Sequence, residues 1–119
     1  MGDISQNFSR VEFACKCGCG FDTVDTSTLE VLERVRAHFG APVVVNSGCR
    51  CAEHNRAVGG APNSQHVLAR AADIRIKGVS PDRVYVYAGQ ELNGTGGLGR
   101  YGTFTHIDTR SIGPARWSG

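Results

Sequence analysis

The chain has no apolar run near the ~20 residues that a membrane span requires. Its opening, MGDISQNFSR, has no basic start followed by an apolar stretch, so no secretory leader is expected and the reading places the chain in the cytoplasm. Met1-Gly2 with Ser5 and Gln6 does not form a convincing myristoylation signal. Lysine is scarce: Lys16 and Lys77 are the two lysines among 13 basic residues, and arginine supplies the rest. Against 11 acidic residues the formal net charge is +2, too balanced to argue for a nucleic-acid partner. There is no repeat, and no linker long enough to divide 119 residues. The expectation is one monomeric domain over 1–119, with the first 12 residues loosely held.

Forty per cent of the chain is hydrophobic, enough for one core, and 16 glycines cluster in candidate turns. This composition suits a loop-rich α+β domain, a small antiparallel sheet with flanking helices. Residues 1–24 read as irregular, with a short strand near Val11–Cys15. Ser27-Thr-Leu-Glu30 reads as a capping box opening a helix to Phe39, with Leu29, Leu32, Val35 and Phe39 on one stripe. Gly40 and then Pro42 end it. Val43–Asn46 reads as a buried strand and Cys51–Val58 as a short helix. GGAPNS reads as a loop and Ala71–Ile76 as a strand. Ser80-Pro81 opens a helix to Leu92, although its Val-Tyr-Val-Tyr run also suits a strand. GTGGLGRYG reads as a bend, and Thr103–Asp108 as the last strand.

The five cysteines fall in two groups, Cys15, Cys17 and Cys19, then Cys49 and Cys51. An odd count argues against a full disulfide framework. C-K-C-G-C is tighter than the usual spacing of zinc-binding cysteines. On an extended segment its three thiols share one face. The functional reading is a second metal site or a redox pair with Cys49 or Cys51. The plainer reading, which we favour, is small thiols pinning a loop.

The stretch SQHVLARAADI carries the densest chemistry. His66 precedes Asp73 by seven residues, and His106 follows in THIDTR. Two imidazoles and a carboxylate are a usual ligand set for a catalytic zinc, with water in the fourth position. Such an ion lowers the pKa of its water from ~16 towards ~7 and makes it a nucleophile. The seven-residue spacing suits a turn carrying the histidine and a strand carrying the aspartate. By itself the triple is weak, because four histidines and 11 acids form many by chance. His38, near a helix end, reads as a surface residue, and His54 as a half-buried structural one.

SQHVLARAAD resembles the S-x-H-x-x-G-x-A-x-D signature of the zinc D-Ala-D-Ala peptidases, the family of bacterial and phage peptidoglycan carboxypeptidases and endopeptidases. Ser64, His66, Ala71 and Asp73 match. Ala69 stands where the family has glycine, and alanine there implies a backbone that does not need a positive φ. FACKCGCG, VNSGCRCAEHNRAVGGAPNS, GGLGRYGTFTHIDTR and ARWSG resemble a compact phage and prophage branch, so the likeness runs from about Phe13 to Gly119.

The resemblance implies Zn2+ held by His66, Asp73 and His106, and hydrolysis of D-alanyl bonds in peptidoglycan peptides. It implies that Arg50 stabilises an oxyanion or holds a substrate carbonyl, and that Ser64 binds the substrate's C-terminal end. An ion pair for Arg50 and a loop cap for Ser64 are the plainer roles. No glutamate or histidine stands shortly before His106, so Asp108 is the nearest general base. Its competing role is to fix the tautomer of a ligand histidine. The resemblance also implies release to the wall by a phage or prophage lysis system, or a place on the virion. A zinc-containing wall-binding module without turnover, and a small redox or structural protein built on the cysteines, are the competing classes.

Overall fold

The computed structural model describes residues 2–61, 63–111 and 113–119. A five-stranded sheet runs in the order β1-β2-β4-β3-β5, with β1 Val43–Ser47, β2 Ala71–Ile76, β3 Gly97–Arg100, β4 Thr105–Asp108 and β5 Ala115–Ser118. Every pairing is antiparallel except β3 with β5, so the sheet is mixed rather than purely antiparallel. The helices are α1 Thr26–Phe39, α2 Ala52–Ala57 and α3 Pro81–Leu92. The fold is a single compact α+β globule.

Strand alternation gives the sheet two different faces. Ala72, Ile74 and Ile76 of β2, Ile107 of β4 and Leu98 of β3 join Leu32, Val35, Val84, Ala88 and Leu92 of α1 and α3 in the core. The intervening positions, Asp73, His106 and Asp108, belong to the opposite face. The buried stripe of α1 is Thr28, Val31, Leu32 and Val35, with Leu29 and Phe39 only partly covered.

Several expectations change. The stretch near Val11 is a 3-10 turn, Arg10–Phe13, not a strand. Its segment is docked: Phe8 and Phe13 enter the core, and Glu33 accepts hydrogen bonds from Ser5 and Asn7. Asp25, not Ser27, occupies the N-cap position of α1, without a side-chain capping bond, and its N–H donates to Ala69 O at 2.8 Å. Tertiary bonding there overrides the local capping pattern. GTGGLGRYG contains β3 rather than only a bend, and Thr105–Asp108 is followed by a further strand, β5. Helix α3 begins and ends as expected, with the Ser80 hydroxyl accepting from Arg83 N–H. Pro62, within the expected GGAPNS loop, lies outside the described residues. Among the described residues no helix is long and apolar enough to cross a membrane.

Candidate metal centre

Asp73 on β2 and His106 on β4 sit directly opposite each other across one antiparallel rung. His106 Nδ1 lies 2.9 Å from Asp73 Oδ1, and His66 Nε2 lies 3.2 Å from the same oxygen. His66 comes from the turn before β2. All three side chains are buried, and their ligand atoms lie within 4.8 Å of one another.

The far side of each ring faces an acceptor. His66 Nδ1 is 2.6 Å from Gly48 O, which can only accept, so Nδ1 carries the proton. His106 Nε2 is 2.8 Å from Asp108 Oδ2, a carboxylate oxygen that likewise accepts. Neutral His66 therefore turns a lone pair toward Asp73, and His106 does the same in the form that donates to Asp108. Three acceptors converging on one point repel unless positive charge lies among them. Without a metal, burial pushes the Asp73 carboxyl up, but protonated His106 and His66 rings donating to it outweigh this and hold it below the usual carboxylate range. Burial also opposes charge on His106, yet Asp108 and Asp73 raise it. The same pull would hold a cation. Two imidazoles and a carboxylate suit a borderline divalent ion such as zinc.

These three residues, with Arg50 and Ser64, line a cleft of roughly 490 Å³, within the usual range for ligand sites. Arg50 Nη2 is 3.6 Å from Asp73 Oδ2. Its Nε donates to Ser47 Oγ at 3.3 Å and its Nη1 to Asn55 Oδ1 at 3.2 Å, so the guanidinium is held at the edge of the ligand set. Ser64 Oγ accepts from His66 N–H at 3.2 Å, which caps the turn and leaves the hydroxyl proton for the cleft.

Asp108 sits elsewhere. It is fully buried and is not among the residues lining the cleft. Arg110 N–H, Nε and Nη2 donate to its carboxylate at 3.1, 2.9 and 2.7 Å, and His106 takes up the rest of Oδ2. Burial raises the Asp108 carboxyl, but Arg110 and His106 outweigh it and the net shift is down. Its position is behind His106, away from where a substrate proton would be. Ala69 also departs from expectation: its φ is +59°, so alanine occupies the left-handed region where glycine fits without cost. The 5%-exposed methyl and the bond that Ala69 O accepts from Asp25 hold it there.

Sequence reasoning did not single out the far wall. Trp117 of β5 donates from Nε1 to Tyr101 Oη at 2.8 Å, its ring centroid is 5.0 Å from that of His106, and Arg110 lies 5.4 Å over it. Tyr101 and Phe104 stack on the same side of the cleft. His54 is half-buried on α2, and His38 is exposed and stacks on Tyr87, both away from this cleft.

A family model described as Peptidase M15 matches residues 6–108. The chain belongs to the peptidase M15 family. The match spans His66, Asp73 and His106, the residues where this M15 domain offers a site for the family's metal. It also bears out the resemblance read from SQHVLARAAD. The assignment supports a metallopeptidase acting on a peptide substrate. Trp117 lies beyond the matched span. No curated protein matches the chain.

Proposed function

We propose that the chain is a zinc peptidase that hydrolyses D-alanyl bonds in the stem peptides or cross-links of bacterial peptidoglycan. The observation that carries this reading is the convergence of His66, Asp73 and His106, with Gly48 O and Asp108 as acceptors on the far sides of the two rings. With the far nitrogens protonated, each ring turns a lone pair toward a cation bound beside Asp73 on the floor of an open cleft. Zinc bound there supplies a Lewis acid and a water acidic enough to attack at neutral pH.

The chain's own residues then have separate tasks. Arg50 offers its forked donors to the oxygen of the scissile carbonyl, and its tie to Asn55 keeps it oriented. The Ser64 hydroxyl donates to the substrate's C-terminal end. Asp108 keeps His106 in its lone-pair-inward form, with Arg110 holding that carboxylate. Tyr101, Phe104 and Trp117 give the peptide an apolar wall.

A second reading is a zinc-containing wall-binding module with little turnover, in a phage particle or lysis system. It is favoured by one observation: Asp73 is the only carboxylate among the described residues lining the cleft. Digestion of purified peptidoglycan, with products weighed by mass spectrometry, separates the two. D-alanine release or opened cross-links, lost in His66→Ala, support the peptidase. Binding to the wall with metal present and no product supports the module.

A further inference from the structure

We propose that Cys15, Cys17, Cys19 and Cys51 form a second metal site, a structural zinc held by four thiolates and separate from the cleft. The four sulfurs lie within 4.8 Å of one another. Three of the separations are 3.4 Å for Cys15–Cys17, 3.6 Å for Cys17–Cys51 and 3.9 Å for Cys15–Cys51. A tetrahedron with arms of about 2.3 Å, the zinc–sulfur length, has edges of about 3.8 Å. A disulfide would single out one pair at about 2.05 Å; here three pairs are nearly equal.

The backbone is shaped for such a site. Gly18 and Gly20 have φ of +79° and +93°, and Gly18 N–H donates to Cys15 O at 3.2 Å. This turn, rather than an extended segment, brings the closely spaced thiols to one side. Two N–H groups point at sulfur: Cys51 N–H at Cys15 Sγ and His54 N–H at Cys51 Sγ, both 3.4 Å. Such donors stabilise thiolate over thiol and orient metal-bound sulfur. Four thiolates crowded this closely also need a cation to ionise together. Cys49 is excluded from the cluster. It is buried, and its Sγ lies 3.1 Å from both Phe13 O and Phe21 O, where its single S–H is taken up.

The site would staple the CKCGC turn to the start of α2. The bridged segment, Gly48–Cys51, faces the cleft on its other side, where Gly48 O orients His66 and Arg50 approaches Asp73. A thiolate-bound ion would therefore hold the loop that orients the hydrolytic ligands. Its ligands share no residue with them.

The test is metal content of protein purified under reducing conditions, followed by cobalt substitution. We expect two equivalents of zinc per chain. His66→Ala should lose one equivalent and keep a cobalt form with intense sulfur-to-metal charge-transfer absorption. C17S/C19S should lose the other equivalent, and the absorption with it. The spectrum of the His66→Ala protein decides the matter even if the double variant does not fold. A His66→Ala protein that binds no metal, or cobalt without sulfur charge transfer, overturns the proposal. So does a native disulfide among these four cysteines, found by peptide mass mapping of protein isolated without reductant or oxidant.

Discussion

Gly97→Ala is expected to weaken metal binding without touching any ligand. Gly97 lies on β3 directly opposite Asp108 of β4, and its φ is not in the left-handed region, so an alanine meets no backbone strain. Space is the difficulty. A Cβ at Gly97 would stand 2.2 Å from Asp108 Oδ2 and 2.6 Å from its Cγ, where ordinary contact begins at about 3.5 Å. The carboxylate cannot swing to solvent, because it is fully buried and bound by Arg110. It must shift by about 1 Å, enough to break its 2.8 Å bond to His106 Nε2. Overpacking of this kind costs about 1–3 kcal/mol of stability. Loss of the partner that orients a ligand histidine costs roughly 10–100-fold in metal affinity. Zinc competition against a chromophoric chelator measures the affinity of the cleft site, and thermal denaturation the stability. Stability lowered with unchanged zinc affinity would refute the orienting role given to Asp108.

Other consequences are open to direct test. Arg50→Ala is expected to keep zinc in the cleft while lowering kcat by roughly 10²–10³-fold, the scale of a lost oxyanion donor; an unchanged kcat in the peptidoglycan digest contradicts that role. A Cβ at Gly99 would lie 2.6 Å from the Trp117 ring, so Gly99→Ala should displace the indole from the cleft wall. Because Trp117 is the only tryptophan, its fluorescence maximum should move, and no movement would mean that the sheet absorbs the clash. Ala69→Val places a β-branched residue at φ +59° and should cost about 2 kcal/mol, read as a fall in Tm. Burial raises the Glu33 carboxyl, but the Ser5 and Asn7 bonds outweigh it and lower it overall. Its folded pKa is thus below its unfolded one. The stability it contributes is present above the unfolded value near ~4.3 and is lost as pH falls through the folded one. Glu33→Gln should flatten the acid limb of a pH–stability curve, and an unaltered limb would exclude that contribution.

The elements that were legible in the sequence carry their own local signals. Ser80-Pro81 marked the start of α3, although its Val-Tyr-Val-Tyr run also suited a strand. The β-branched run Val43–Val45 announced β1. What was missed depends on partners distant in sequence. Glycine ordinarily signals a bend, but in β3 Gly97 and Gly99 are small because Asp108 and Trp117 occupy the space beside them. The capping box at Ser27 lost to Asp25, whose N–H is held by Ala69 O. The strand β5 has only four residues and pairs in parallel with β3, so neither length nor hairpin geometry advertised it. The candidate ligands His66, Asp73 and His106 were chance-level as a triple and stood out only through their flanking motif. The position of Asp108 relative to His106 was visible as a two-residue spacing. Its burial behind the ring, and hence its task, depended on Arg110 and β3.

The rung that pairs Asp73 with His106 has a consequence for how this site can change. The two ligands are 33 positions apart in the chain, yet hydrogen bonding between neighbouring strands sets their separation. The surface loops between them, such as the one carrying Tyr101 and Phe104, can lengthen or shorten without altering the distance across the rung. The cleft wall can therefore be reshaped by insertion in those loops while the His66, Asp73 and His106 group keeps its dimensions.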